Sequence, residues 1–221
     1  MSTRDNILRR LRRGRDGWRS RGPSAVDERR PDAEVFADYP QGSEKAVEQF
    51  ETKLAALNGR FYRAADLGEA ARTLEDILAP LGGERFIAHE GSLIREVLAH
   101  LPELAWRIDG EEMLAATSDA FSAYAAGISE ATALVARTGS VALNSRDAGG
   151  RRLTVLPPIH IVLARRTDLL PSIDAALERL GGDDLWSNAV LITGPSRTAD
   201  IEKILILGAH GPKELHVILV G

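Results

Sequence analysis

Three polar strings break the apolar runs of this chain, and each is short enough to read residue by residue. Thr193-Gly194-Pro195-Ser196-Arg197-Thr198-Ala199-Asp200 follows the apolar run NAVLIT and precedes a stretch with helical spacing. A strand handing over to a helix at that point leaves unpaired N–H groups and a partial positive charge at the helix start. Gly194 lets the backbone approach a ligand closely, so the string suits a phosphate or carboxylate, and Arg197 adds a planar guanidinium fork for the same groups. The same residues also work without a ligand: Ser196 or Thr198 caps a helix, and Asp200 and Glu202 suit its first turn.

The second string, Gly208-Ala209-His210-Gly211-Pro212-Lys213-Glu214, leads into the final apolar run. Turn geometry accounts for its glycines and proline but not for His210 or Glu214, which form the candidate proton-handling pair. His216 inside LHVILV and His160 inside PPIHIVLA alternate with apolar residues and read as hydrogen-bonded sheet or core histidines. The third string, Arg137-Thr138-Gly139-Ser140, makes either a helix C-cap or a small anion nest. No phosphate-binding P-loop, dinucleotide fingerprint, nucleophile elbow or H-E-x-x-H helix is present. His89-Glu90 has no second histidine at metal spacing, so no metal site is expected.

The elements that must position these strings follow from periodicity. A helix capped by Ser43 carries Ala46, Val47, Phe50, Leu54 and Leu57 and ends at Asn58-Gly59. Strands are expected at residues 60–64, 85–90, 140–145, 153–156, 159–164, 188–193 and 215–220. Helices are expected at 67–81, 92–101, 109–116, 129–137, 172–180 and 198–207, and residues 120–128 fit either period. Such alternation implies crossover connections and a three-layer α/β fold whose mainly parallel sheet is flanked by helices. NAVLIT and LHVILV are apolar nearly throughout, as strands covered on both faces should be.

Charge is unevenly spread. The first 30 residues hold ten arginines against four acids, while the whole chain carries a net −4, so the remainder is strongly acidic. A folded body of that sign argues against nucleic-acid binding. Gly14, Gly17, Gly22 and Pro23 break up the basic region beyond a short helix at residues 3–13, so residues 1–42 read as a basic, partly flexible, helical and extended arm before an α/β domain at 43–221. The chain contains no cysteine, which excludes disulfides, thiolate-held zinc and iron–sulfur clusters within it. No apolar leader follows the basic start and no run reaches the length of a membrane span, so a cytoplasmic location is expected.

The strings GPSRTADIE and GAHGPKELHV, with LVARTGSVAL and LPPIHIVLA before them and RDNILRRLR near the start, resemble the lactate-utilisation protein C family of LUD-domain proteins. The resemblance implies a fold similar to ribose-phosphate isomerases, glucosamine-phosphate deaminases and coenzyme A transferases, with ligands at strand carboxyl ends. It implies a role in converting L-lactate to pyruvate beside iron–sulfur oxidoreductase-type partner proteins that hold the clusters, this chain binding no cofactor of its own. The candidate ligand-binding set for a small anion is then Thr138, Gly139, Ser140, Gly194, Pro195, Ser196, Arg197, Thr198, His210 and Gly211. Arg137 stands where family members usually have Glu, which favours binding over proton transfer at that loop. Three readings stay open: an accessory subunit of a lactate system, a stand-alone enzyme acting on a sugar phosphate or acyl-coenzyme A, and a non-catalytic scaffold.

Overall fold

The computed structural model describes residues 38–81, 85–104, 106–108, 123–144, 152–181, 188–199, 205–207 and 211–221, without the side chains of 106–108, 197–199 and 205–207. Residues 1–37 of the basic arm, the helix expected at 109–116, and Asp200 and His210 lie outside them. Residues Ala37–Gly221 form one unit.

Local chemistry explains the helices. Helix α1 (Glu44–Ala56) starts where the Ser43 hydroxyl accepts the Ala46 amide, and it buries Ala46, Val47, Phe50 and Leu54. It stops at Asn58, whose φ of 64° is left-handed, and the Gly59 amide closes on the Leu54 carbonyl at 3.0 Å. Asp66 caps α2 (Leu67–Leu78) by accepting the Glu69 amide, while the Glu69 carboxylate accepts the Ala65 amide. Helix α3 (Ser92–Leu98) has Gly91 at its cap and draws its cap acceptor from a distant residue, Glu130. Ser172 caps α4 (Ile173–Leu180).

Six strands form an all-parallel sheet: β1 (Arg60–Ala64), β2 (Phe86–Ala88), β3 (Trp106–Ile108), β4 (Ala126–Glu130), β7 (Ile159–Arg165) and β12 (Glu214–Val220), in the order β1-β12-β7-β4-β2-β3. A second sheet of four strands, β5 (Ala133–Val135), β6 (Ser140–Asn144), β8 (Leu169–Leu170) and β9 (Ala189–Ile192), runs β8-β5-β6-β9 with antiparallel pairs around β6. The period-two alternation of β12 explains the layering. His216, Ile218 and Val220 face α2 and α3, whereas Leu215, Val217 and Leu219 face α1 and the second sheet. Helix α4 covers the far face of that second sheet through Ala176 and Leu180. The α/β architecture with a mainly parallel sheet flanked by helices is thus present, with the small sheet as an added layer on one side.

Four expectations need correction. The helix expected at 198–207 is replaced at its described residues by strands: β10 (Arg197–Ala199) pairs antiparallel with β11 (Leu205–Leu207). Residues 129–137 are the end of β4 and β5 because their amides are taken across strands, Ala131 to Leu163, Thr132 to Ala142 and Ala136 to Leu170. Residues 153–156 form a turn ahead of Pro157-Pro158, whose missing N–H groups cannot enter a ladder. Strand β9 is an edge strand with Leu191 exposed, so NAVLIT is not covered on both faces.

Candidate functional site

The hairpin at β10–β11 removes the helix start on which the anion-binding expectation at Gly194–Thr198 rested. The Ser196 amide is also occupied, donating to the Pro212 carbonyl at 2.9 Å. What the tertiary structure does instead is fold Gly194, Pro195, Ser196 and Gly211 around one cavity of 180 Å3, together with Thr154, Val155, His160, Val190, Ile192, Pro212 and Leu215. Gly194 has a φ of 90°, a conformation that favours glycine, and it turns the chain out of β9 toward this cavity. His160 and Leu215 are the second residues of β7 and β12, so the cavity sits at the amino ends of the parallel strands and not at their carboxyl ends.

The Thr138–Ser140 loop is tied to the same region by hydroxyls. Thr138 Oγ1 and Ser140 Oγ lie 2.7 Å apart, and Ser140 Oγ lies 2.9 Å from Thr193 Oγ1. Gly139 has a structural duty: at φ 66°, a Cβ there would stand 2.5 Å from the Leu54 amide nitrogen. Arg137 pairs with Asp38 at 2.5 Å. Arg197 and Thr198 are placed only as backbone of β10, and His210 lies outside the described residues.

Inside the 180 Å3 cavity wall, His160 is 1% exposed and its Nε2 lies 2.8 Å from the hydroxyl of Ser129, itself fully buried. Burial lowers the His160 pKa to about 4, so the ring is neutral at pH 7. Among the described residues its Nδ1 has no hydrogen-bond partner. The apolar alternation around His160 signalled a core histidine; its unsatisfied nitrogen had no signal in the sequence.

Glu214 meets His216, while the expected partner His210 lies outside the described residues. Glu214 Oε2 accepts from Nε2 of His216 at 3.1 Å and pairs with Arg60, also at 3.1 Å. His216 Nδ1 in turn accepts the Tyr62 hydroxyl at 3.1 Å, and the two rings are parallel. A carboxylate bound to Nε2–H leaves Nδ1 as the acceptor, so Tyr62 is the donor. Burial lowers the His216 pKa, with Glu214 opposing and Arg60 assisting. This carboxylate–imidazole–phenol chain lines a second cavity, of 410 Å3, beside Asp76, Ile77 and Leu81 of α2 and the turn after it.

A third cleft, of 360 Å3, opens at the carboxyl ends of β2 and β4, where the strand order reverses, and is lined by His89, Glu90, Ser92, Glu130 and Thr132 among others. Such switch points are where open parallel sheets commonly hold ligands. Here Glu130 is partly committed: its Oε2 accepts the Leu93 amide at 3.0 Å, and Gly91 has no Cβ because one would stand 2.3 Å from that oxygen. Burial raises the Glu130 pKa against the pull of those amides. Neither His89 nor Glu130 was selected from sequence as a ligand residue, since nothing in their spacing shows that β2 and β4 are neighbours.

A sequence model described as the LUD domain matches residues 47–220. The chain belongs to the LUD domain family. It is 30% identical to an uncharacterised protein of Neisseria meningitidis across all of this chain and 94% of the other. It is 27% identical to a lactate utilization protein C of Geobacillus thermodenitrificans over 86% of this chain and 83% of that one. The crystal structure of a DUF162 family protein from Deinococcus radiodurans superposes with a TM-score of 0.60 at 20% identity, covering 80% of this chain and 97% of the other. The matched span of this LUD domain takes in all three cavities, and the shared fold extends to the solved neighbour.

Proposed function

We propose that this chain is a component of an L-lactate utilisation system, an accessory subunit that binds a small anionic ligand and works with iron–sulfur oxidoreductase-type partner proteins. The observation that carries this reading is the lactate utilization protein C relative, aligned over most of both chains. The ligand is assigned to the 180 Å3 cavity because four of the sequence-selected residues, Gly194, Pro195, Ser196 and Gly211, border it. Since the chain has no cysteine, the electrons of lactate oxidation pass through clusters that the partners hold. Arg197, next to the cavity in sequence, supplies the positive charge for a carboxylate.

Deletion of the gene in a host that grows on L-lactate should abolish growth on lactate and spare growth on pyruvate. Complementation with the wild-type chain should restore it, and Arg197→Ala should restore it poorly. Undiminished growth of the deletion strain on lactate refutes the reading.

One observation favours a second reading, a stand-alone enzyme acting on a sugar phosphate or an acyl-coenzyme A: the Tyr62–His216–Glu214 chain presents a phenol backed by an imidazole and a carboxylate to the larger cavity. Turnover of such compounds by the purified chain without partners would decide for it, and Tyr62→Phe should then remove that turnover.

A further inference from the structure

The 410 Å3 cavity lies within the range of small-molecule sites, about 300–1,000 Å3. It is built at the amino ends of β1 and β12. Arg60 and Tyr62 are the first and third residues of β1, and Glu214 and His216 are the first and third of β12. Residues two apart on a strand share a face, so each pair projects to one side, and Thr73 and Asp76 of α2 complete the polar lining.

Most hydrogens of this wall are already directed at protein acceptors. His216 is 2% exposed and uses both nitrogens: Nε2–H donates to Glu214 Oε2, and Nδ1 accepts the Tyr62 hydroxyl, each at 3.1 Å. The Thr73 hydroxyl donates to the Glu69 carbonyl at 2.9 Å. Tyr62 and Thr73 therefore have only lone pairs left to offer, and the carboxylates of Asp76 and Glu214 accept by nature. Asp76 is exposed and has no ion partner among the described residues, and the Glu214 side chain is 41% exposed, so both carboxylates are open to a ligand.

Charge points the same way. Arg60, the one cation in the lining, is met by Glu214 at 3.1 Å, and His216 is kept neutral by burial. Asp76 is left over, so the cavity carries one uncompensated negative charge. The remaining lining is apolar: Ile77, Pro80, Leu81 and Ile159. We propose that this cavity binds an organic ammonium ion, a primary amine with an apolar body, whose N–H groups donate to Asp76, Glu214 and the Tyr62 oxygen. His216 is a positioning residue, because by taking the Tyr62 hydrogen it keeps the phenol an acceptor. The assignment competes with the second reading above for the same cavity, since a phosphate or an acyl-coenzyme A would bring its negative charge beside Asp76. It leaves the lactate reading untouched.

Calorimetry on the purified full chain at pH 7 tests it with three probes: isoamylammonium, its carboxylate counterpart 4-methylvalerate, and inorganic phosphate. The amine should bind and the two anions should not. Asp76→Asn keeps the shape and removes the charge, so it should weaken the amine about tenfold or more while the ligand-free melting temperature holds. Nitrogen-15 histidine labelling gives the second arm. The His216 signals should show a protonated Nε2 and a bare Nδ1, and the Nδ1 signal should move as the amine binds in the wild type but stay in place in Tyr62→Phe. Absence of amine binding, tighter binding of either anion than of the amine, unchanged amine affinity in Asp76→Asn, or a proton on Nδ1 overturns the proposal. Growth on lactate plays no part in these measurements, so the two tests fail separately.

Discussion

At the residue scale, two buried histidines shape how this chain responds to acid. Both His160 and His216 have pKa values lowered by burial, His160 to about 4. The unfolded chain takes up protons on these rings near pH 6.5 while the folded chain takes them up only at lower pH, about 4 for His160, so below pH 6.5 the unfolded form binds more protons. Stability from His160 is therefore complete above pH 6.5 and lost as pH falls toward about 4, by roughly 3 kcal/mol at the limit. Glu130 and Asp168, raised by burial, act in the opposite sense, because the folded form holds their protons more tightly. The clean measurement is a difference: urea unfolding of the wild type and of His160→Leu at pH 7 and pH 5. The wild type should lose more stability between the two, and equal losses would contradict the shift assigned to His160. That histidine was legible from its neighbours as a core residue. Its orphaned nitrogen was not, because Ser129 stands 31 residues away and meets it only through pairing of β4 with β7.

At the element scale, caps were readable and pairings were not. Ser43, Asp66 and Ser172 each accept an amide three residues on, which is local chemistry that spacing reveals. Ser172→Ala should cost about 1 kcal/mol, seen as a lower urea midpoint with unchanged slope. The hairpin of β10 and β11 escaped because Leu205-Ile206-Leu207 is a continuous apolar run that suits either period, and the antiparallel partner decided the outcome. Gly139 shows the reverse case, where a turn glycine proved to be under double constraint. Its left-handed φ and its contact with the C-terminal part of α1 both oppose a side chain. Gly139→Ala should destabilise by about 2 kcal/mol or more in denaturant unfolding, combining backbone strain with overpacking. A loss of a few tenths would mean that α1 shifts to make room.

At the scale of the whole molecule, Phe50 joins the two sheets. It is fully buried, meets Phe61 of β1 edge to face at 5.4 Å between ring centres, and lies in the same core as Leu134, Val141, Leu143, Val162 and Val217. Phe50→Ala should cost about 3–5 kcal/mol. Amide exchange should then quicken in β6 and β12 together if the sheets open as one unit, whereas protection lost from β6 alone would mark the second sheet as a separately unfolding layer.

By itself the sequence determined helices α1 to α4 and the strands β1, β2, β6, β7, β9 and β12, since periodicity and capping are relations between residues two to four apart, but not the segments at 129–137, 153–156 and 198–207. It also determined that the chain has no thiolate to offer a cluster. Only the tertiary structure decided who meets whom. The order β1-β12-β7-β4-β2-β3 brings Tyr62 to His216, Ser129 to His160 and Glu130 to the start of α3. Those meetings depend on which strands become neighbours, a choice made by burying the whole apolar surface at once, and no spacing along the chain records it.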